Sequence, residues 1–241
     1  MELIPSIDLR AGRSRIVFWP GASTGSGTPT DRPDRIARHF VELGAPAFHL
    51  VDLDGAARGV PVATEAVAAV ARAVAVPLQL AGGIDGPEQI EIAFAAGATR
   101  VVVPLWRVVE SPATLAACLA VATDWLAVGV DGRSERLADY PWQHGRVPDV
   151  VELVDRLLDQ GVRRIVLSHW QTAPLTEVVA AVGGHGAQLQ VAGGIDGVAQ
   201  LARLRDHGVD AVILGEALFT GAVEYAAARD TLLAMSTTRV G

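Results

Sequence analysis

The stretch Leu80-Ala81-Gly82-Gly83-Ile84-Asp85-Gly86 returns as Val191-Ala192-Gly193-Gly194-Ile195-Asp196-Gly197, an offset of 111 residues from Ala81 to Ala192. The match continues at the same offset. Gly97 falls on Gly208, and Val101-Val102-Val103 falls on Val212-Ile213-Leu214. Each copy reads as strand, Gly-Gly turn, helix, glycine, strand. Two glycines between a buried strand and a helix let the backbone close on an anion, whose charge the helix N-terminus favours. The same turn also serves as a plain strand-to-helix connection with no ligand. Duplication within a longer repeat points to a symmetric scaffold with two phosphate sites.

A chain of 241 residues fits one large domain or two small ones, and half of it is apolar, enough for a full core. Twenty basic residues against 27 acidic ones leave a net charge of −7 with no basic tract, which argues against nucleic acid as the main partner. A local phosphate pocket is compatible with that balance. The single cysteine, Cys118, excludes an internal disulfide and a cysteine zinc cluster. It falls in a predicted helix from Pro112 to Val121, which suits a buried apolar role better than a nucleophile. The start of the chain lacks a basic region followed by a secretory apolar run, and no apolar run reaches membrane-spanning length. A soluble cytoplasmic protein with no membrane partner is expected.

In chain order, Leu3 to Asp8 reads as a first strand and Ala11 to Thr30 as a long loop. Asp31 is expected to cap a helix with Pro33 in its first turn, ended by Gly44. The next strands are Phe48 to Leu53, Pro77 to Ala81, Arg100 to Val103 and Trp125 to Val130, the last ending at Asp131. Helices over Val62 to Val74, Pro87 to Ala96 and Pro112 to Val121 alternate with them, Ser111-Pro112 capping the last. A second loop, Gly132 to Val147, precedes a helix from about Asp149 to Asp159. Arg164 to Leu167, Gln188 to Val191 and Ala211 to Leu214 complete the strands. A short helix after Pro174, Val198 to His207, and Ala222 to Leu233 complete the helices.

Eight apolar strands alternating with eight helices argue for parallel β/α units covered on both faces. At this length the economical closure is a single (β/α)8 TIM barrel over residues 1–241. An open doubly wound sheet is the rival, disfavoured because a two-fold repeat of four units closes naturally. Asp8 ends strand one and Asp131 ends strand five, so they face each other across the barrel mouth. Two carboxylates in unlike surroundings can hold different pKa values and divide acid and base work. Either one alone would equally fit a solvated loop carboxylate or a cap.

Several segments together carry a family pattern: Ile4-Pro5-Ser6-Ile7-Asp8-Leu9, His49-Leu50-Val51-Asp52-Leu53-Asp54-Gly55-Ala56, the two Gly-Gly-Ile turns, Gly129-Val130-Asp131, and Gly215-Glu216-Ala217-Leu218-Phe219. In these the chain resembles the ProFAR isomerases of histidine biosynthesis, and the bifunctional relatives that also isomerise phosphoribosylanthranilate. ProFAR is N′-(5′-phosphoribosyl)formimino-5-aminoimidazole-4-carboxamide ribotide. The resemblance implies an Amadori rearrangement of an aminoaldose to an aminoketose, with Asp8 as base and Asp131 as acid. It implies a small phosphoribosyl substrate with a phosphate at each end and a monomer. No metal or redox cofactor is implied, and the six histidines show no metal-ligand spacing. Gly82 and Gly83 would cradle one phosphate, and Gly193, Gly194 and Gly215 the other. Asp52 joins the substrate-binding set. Arg15, with Arg13, sits where loop-one arginines of the family reach substrate. Trp142, followed by Gln143, resembles a loop-five tryptophan that stacks on the aglycone.

Two strand ends depart from the family. Strand four normally ends in Gly-Thr and here ends in Pro104-Leu105-Trp106, so its phosphate site is expected to be reshaped. After strand six the family's Thr-Asp becomes Ser168-His169, and an Asp-Gly-Thr loop is absent. Ser168 keeps the hydroxyl. His169 reads either as a site residue, donating to substrate or moving a proton, or as a structural histidine bonded to a loop carbonyl. These departures also motivate a second reading, a diverged paralogue acting on or binding another phosphosugar. Trp19, Trp106, Trp142 and Trp170 fall in loops after strands and Trp125 in a strand, which makes an aromatic mouth the expectation.

Overall fold

A computed structural model describes residues 1–20, 27–139 and 147–237. Its frame is a closed ring of eight parallel strands: β1 (Glu2–Arg10), β2 (Phe48–Asp52), β3 (Leu78–Ala81), β4 (Arg100–Pro104), β5 (Leu126–Asp131), β6 (Arg164–Ser168), β7 (Gln188–Ala192) and β8 (Ala211–Leu214). Ring closure comes from β1 on β8, with Leu3 opposite Val212 and Ile4 opposite Ile213. Each strand leads to an outer helix: α1 (Pro33–Glu42), α2 (Thr64–Ala73), α3 (Pro87–Ala95), α4 (Pro112–Ala122), α5 (Val150–Asp159), α6 (Leu175–Gly184), α7 (Val198–His207) and α8 (Tyr225–Thr237). This is the (β/α)8 barrel, and the open sheet is ruled out by the β1–β8 pairing.

The strands are apolar because both of their faces are buried. Outward side chains such as Ile7, Leu50, Val103, Val128 and Leu214 pack under the helices. Inward ones form a separate small cluster that includes Ile4, Ala47, Val102, Ala127 and Ile213. Small residues there suit the narrow interior of an eight-stranded barrel. Cys118 on α4 is fully buried in the outer layer. Tyr225 at the start of α8 donates its hydroxyl to the Leu3 carbonyl at 2.9 Å and ties the last helix to the first strand.

Several expectations move when the chain folds. Asp31 does not cap α1: the cap residue is Arg32, with no side-chain cap bond, and Asp31 instead pairs with Arg13 at 2.5 Å. Trp125 is not in β5 but in a 3₁₀ turn before it, half-exposed. The helix after Pro174 is a full ten residues, Leu175–Gly184. Ser111 and Asp149 do cap α4 and α5, accepting from Thr114 N and Glu152 N. The loop after β1 holds more structure than its Gly/Ser/Thr content suggests. Arg13–Ser14 pairs back on Leu9 and Arg10, and Phe18 pairs with Thr30, its buried ring 5.4 Å from Phe219.

Candidate active site

The C-terminal ends of the strands open into a mouth with two lobes. One, of about 300 Å³, lies against β1, β7 and β8 and is lined by Asp8, Ser6, Gly193, Gly194, Gly215 and Glu216. The other, of about 400 Å³, lies against β3 to β6 and is lined by Asp131, Ser168, Gly82, Gly83, Pro104 and Trp106. His49 and Val51 on β2 border both. Strand alternation explains the membership: in β1 Ser6 and Asp8 point inward while Ile7 and Leu9 are buried outward. Asp131 ends β5, whereas β1 runs two residues past Asp8 to Arg10, and one carboxylate stands in each lobe.

Their surroundings differ. Asp8 faces the Arg15 guanidinium at 3.2 Å, and the Arg15 backbone N–H bonds back to the Asp8 carbonyl at 2.8 Å. Arg15 thereby borders a small cavity shared with Ser6, Asp8, Gly215 and Glu216. Asp131 is gripped harder. Arg133 donates Nε and a terminal nitrogen to it at 3.0 and 2.5 Å, and its backbone N–H adds a third bond at 3.0 Å. His169 Nδ1 lies 3.2 Å from Oδ1 of that carboxylate, the oxygen that also accepts the Arg133 backbone N–H. Burial alone would raise the Asp131 carboxyl, but the Arg133 bonds and the neighbouring imidazole outweigh it and hold it below the usual carboxylate range.

His169 itself sits at φ +49°, in the left-handed region. Residues held there cluster at functional sites. Its carbonyl accepts from the Thr172 hydroxyl at 2.9 Å, which starts a tight turn. That turn delivers Trp170 and Gln171 onto the second Gly-Gly. Trp170 Nε1 donates to the Gly193 carbonyl and Gln171 Nε2 to the Gly194 carbonyl, each at 2.9 Å. Ser168 lines the Asp131 lobe, its hydroxyl 3.4 Å from the Val130 carbonyl.

The two Gly-Gly turns have the same left-handed backbone and different neighbours. A Cβ on Gly82 would enter the Asp52 carbonyl, and one on Gly83 would lie 2.6 Å from the Val60 backbone. The first copy is therefore glycine because the loop after β2 presses on it. A Cβ on Gly193 meets nothing within 4 Å, and one on Gly215 meets only Ser6 Cβ at 3.8 Å. The second copy opens into the mouth at Gly193 and Gly215, whereas a Cβ on Gly194 would strike the Gln171 amide that straps it. Asp52 does not join either lobe. It faces outward, fully buried, and accepts from Gly55, Val62 and Ala63 N–H at 2.8, 2.7 and 2.7 Å, so it shapes the loop that covers Gly82. Trp106 borders the Asp131 lobe with the Arg107 guanidinium 3.9 Å over its ring, and Arg107 pairs with Asp85 at 2.8 Å. Trp142 lies outside the described residues. Trp19 is exposed and lines neither lobe.

Residue patterns single out neither Gln79 nor Arg133, give His49 only as part of a family segment, and place Trp170 in a loop after a strand without its bond to Gly193. The available signals were a histidine or a glutamine inside an otherwise apolar strand, and an arginine two residues beyond a strand-end aspartate. Among the described residues no group of three or more His, Cys, Asp or Glu side chains is placed to hold a metal ion, and no helix is long and apolar enough to cross a membrane.

Comparison with known proteins gives a consistent set of matches. The model of a histidine biosynthesis protein family matches residues 2–224. A protein of Roseiflexus castenholzii named 1-(5-phosphoribosyl)-5-((5-phosphoribosylamino)methylideneamino) imidazole-4-carboxamide isomerase is 37% identical over 227 residues, 92% of this chain and 95% of the relative. Proteins of the same name from Desulforudis audaxviator and Chloroflexus aurantiacus are 33% and 32% identical, covering 95% of this chain and 90% and 96% of their own.

Proposed function

Because the chain belongs to the histidine biosynthesis protein family, we propose that it isomerises ProFAR, an aminoaldose, to the corresponding aminoketose. The observation that carries this reading is the pair Asp8 and Asp131, one in each lobe of a single mouth, Asp8 facing the Arg15 guanidinium and Asp131 both the Arg133 guanidinium and the His169 imidazole. An Amadori rearrangement needs a proton delivered to the ribose ring oxygen as the ring opens. It then needs a base to remove the C2 proton. Asp8, facing a single guanidinium, is the base. Asp131 is held ionised by Arg133, so in place of the acid role the resemblance implies for Asp131, the proton for ring opening comes through His169, 3.2 Å away, with Asp131 orienting its ring. Ser168 offers a hydroxyl to the same lobe.

The cradle of Gly193, Gly194 and Gly215, open at Gly193 and Gly215 and strapped by Gln171 at Gly194, takes one phosphate on backbone N–H groups. Gly82 and Gly83 border the other end of the substrate beside Trp106. The names of the relatives support this reading over a diverged paralogue. With it go a single barrel domain, a small phosphoribosyl substrate, no nucleic-acid or membrane partner, no metal or redox cofactor, and a monomer in the cytoplasm. Expression in a histidine auxotroph lacking its ProFAR isomerase tests it. Growth without histidine is expected from the wild type and not from Asp8→Asn. Absence of growth with folded wild-type protein present would refute the assignment.

A further inference from the structure

Three polar side chains meet inside the barrel below the mouth. Gln79 on β3 is buried, and its amide nitrogen has two hydrogens. One points to Oε1 of Gln190 on β7 at 2.8 Å, the other to Nδ1 of His49 on β2 at 3.1 Å. Gln79 and Gln190 are the same residue of the two repeat copies, 111 positions apart, so the halves of the barrel join at this bond. The amide carbonyl of Gln79 is buried with no hydrogen-bond partner. The arrangement thus leaves an acceptor idle in order to aim both N–H groups, which goes against the ordinary satisfaction of buried polar atoms.

A neutral imidazole has one donor and one acceptor nitrogen. An amide nitrogen only donates, so Nδ1 accepts and the ring proton sits on Nε2. Burial keeps the ring neutral, pushing its pKa down to about 4. Nε2 has no protein partner among the described residues, and His49 borders both lobes. Reversing the Gln79 amide would turn its carbonyl toward the carbonyl of Gln190. The Gln190 amide would then have to reverse as well, so the pair resists turning over.

We propose that Gln79, with its amide held by Gln190, is a positioning residue that fixes His49 in the Nε2–H form and presents that proton to a substrate oxygen midway between the two carboxylates. The inference rests on the ProFAR reading only for the identity of that oxygen.

Ring-nitrogen NMR of the full chain labelled with ¹⁵N-histidine tests it without turnover. Wild-type His49 is expected to show a protonated Nε2 and a bare Nδ1. Gln79→Met removes the donor, so the ring should lose its single form. Its kcat should fall by about ten-fold with KM within about two-fold. Gln79→Glu, which accepts, should move a proton onto Nδ1. A wild-type ring protonated on Nδ1 would overturn the proposal. So would folded Gln79→Met protein with an unchanged ring and unchanged kcat. If Gln79→Met does not fold, the wild-type spectrum and Gln79→Glu decide. The expected ring form in a protein that leaves ProFAR unconverted would support the positioning and refute the activity.

Discussion

Pro104, the last residue of β4, and Gly215, the first residue after β8, hold equivalent positions in the two half-barrels, and the lobes diverge at that pair. Pro104 has no N–H to offer an anion and leads into a short helix that brings Trp106 and Arg107 to the rim. Gly215 keeps its N–H and leaves open space above Ser6. Arg107 pairs with Asp85 of the first Gly-Gly turn, whereas the matching position of the second half is Leu218. One lobe is thus an open backbone cradle and the other a rim of tryptophan and stacked guanidinium. That difference lets a symmetric frame hold an asymmetric substrate in one orientation.

The two glycine pairs should therefore respond differently to a methyl group. Gly82→Ala drives a Cβ into the Asp52 carbonyl at φ +95° and should cost roughly 2–4 kcal/mol of stability. Gly193→Ala meets no atom and carries only the left-handed penalty of about 1–2 kcal/mol. Urea unfolding measures both. Inorganic phosphate binding should weaken in Gly193→Ala.

Replacing either carboxylate by its amide should abolish turnover while sparing the fold. Asp8→Asn removes the base and Asp131→Asn the anion that steadies His169. Each should lower kcat by about a hundred-fold or more, with the thermal midpoint within a few degrees of wild type. Unchanged kcat in both variants would refute the assigned roles.

The Trp170 strap predicts an effect on binding rather than chemistry. Trp170→Phe deletes the N–H that holds the Gly193 carbonyl. KM should rise by roughly three- to ten-fold, the loss of about one hydrogen bond in the cradle, with kcat within about two-fold. Steady-state kinetics on ProFAR distinguish this from a general loosening, which would lower both.

His49 sets a window of pH sensitivity. Its folded pKa of about 4 lies below the ordinary histidine value of 6.5, so in acid the unfolded chain binds a proton that the folded chain refuses. Its share of stability is intact above about pH 6.5 and is lost progressively down to about pH 4, on the order of 3 kcal/mol in all. The Asp131 carboxyl, held low, stabilises the fold while it is ionised, and that share is lost only at more acid pH than the His49 window. Urea unfolding of wild type and His49→Asn at pH 7 and pH 5 should show a drop between the two that the variant lacks.

Much of this was legible in the residues. Val198–His207 and Ala211–Leu214 fall where apolar period and glycine punctuation put them, because both follow from burial on a regular frame. Asp131 was legible as a strand end for the same reason, but β1 runs past Asp8 to Arg10 because Leu9 and Arg10 pair with Ser14 and Arg13. Asp52 was misassigned by one step of alternation: Val51 faces in, so Asp52 faces out. Asp31 was misassigned because a distant partner, Arg13, outcompetes a local cap. The His49–Gln79–Gln190 contact joins three strands far apart in the chain, and no local pattern announces it.

The most direct measurement follows purified protein with ProFAR in D₂O by proton NMR, watching the C2 proton of the opened ribose. Wild-type protein should convert the aldose to the ketose with loss of that signal, and folded Asp8→Asn should leave it untouched over the same time. No conversion by wild type, or equal conversion by Asp8→Asn, would contradict the account.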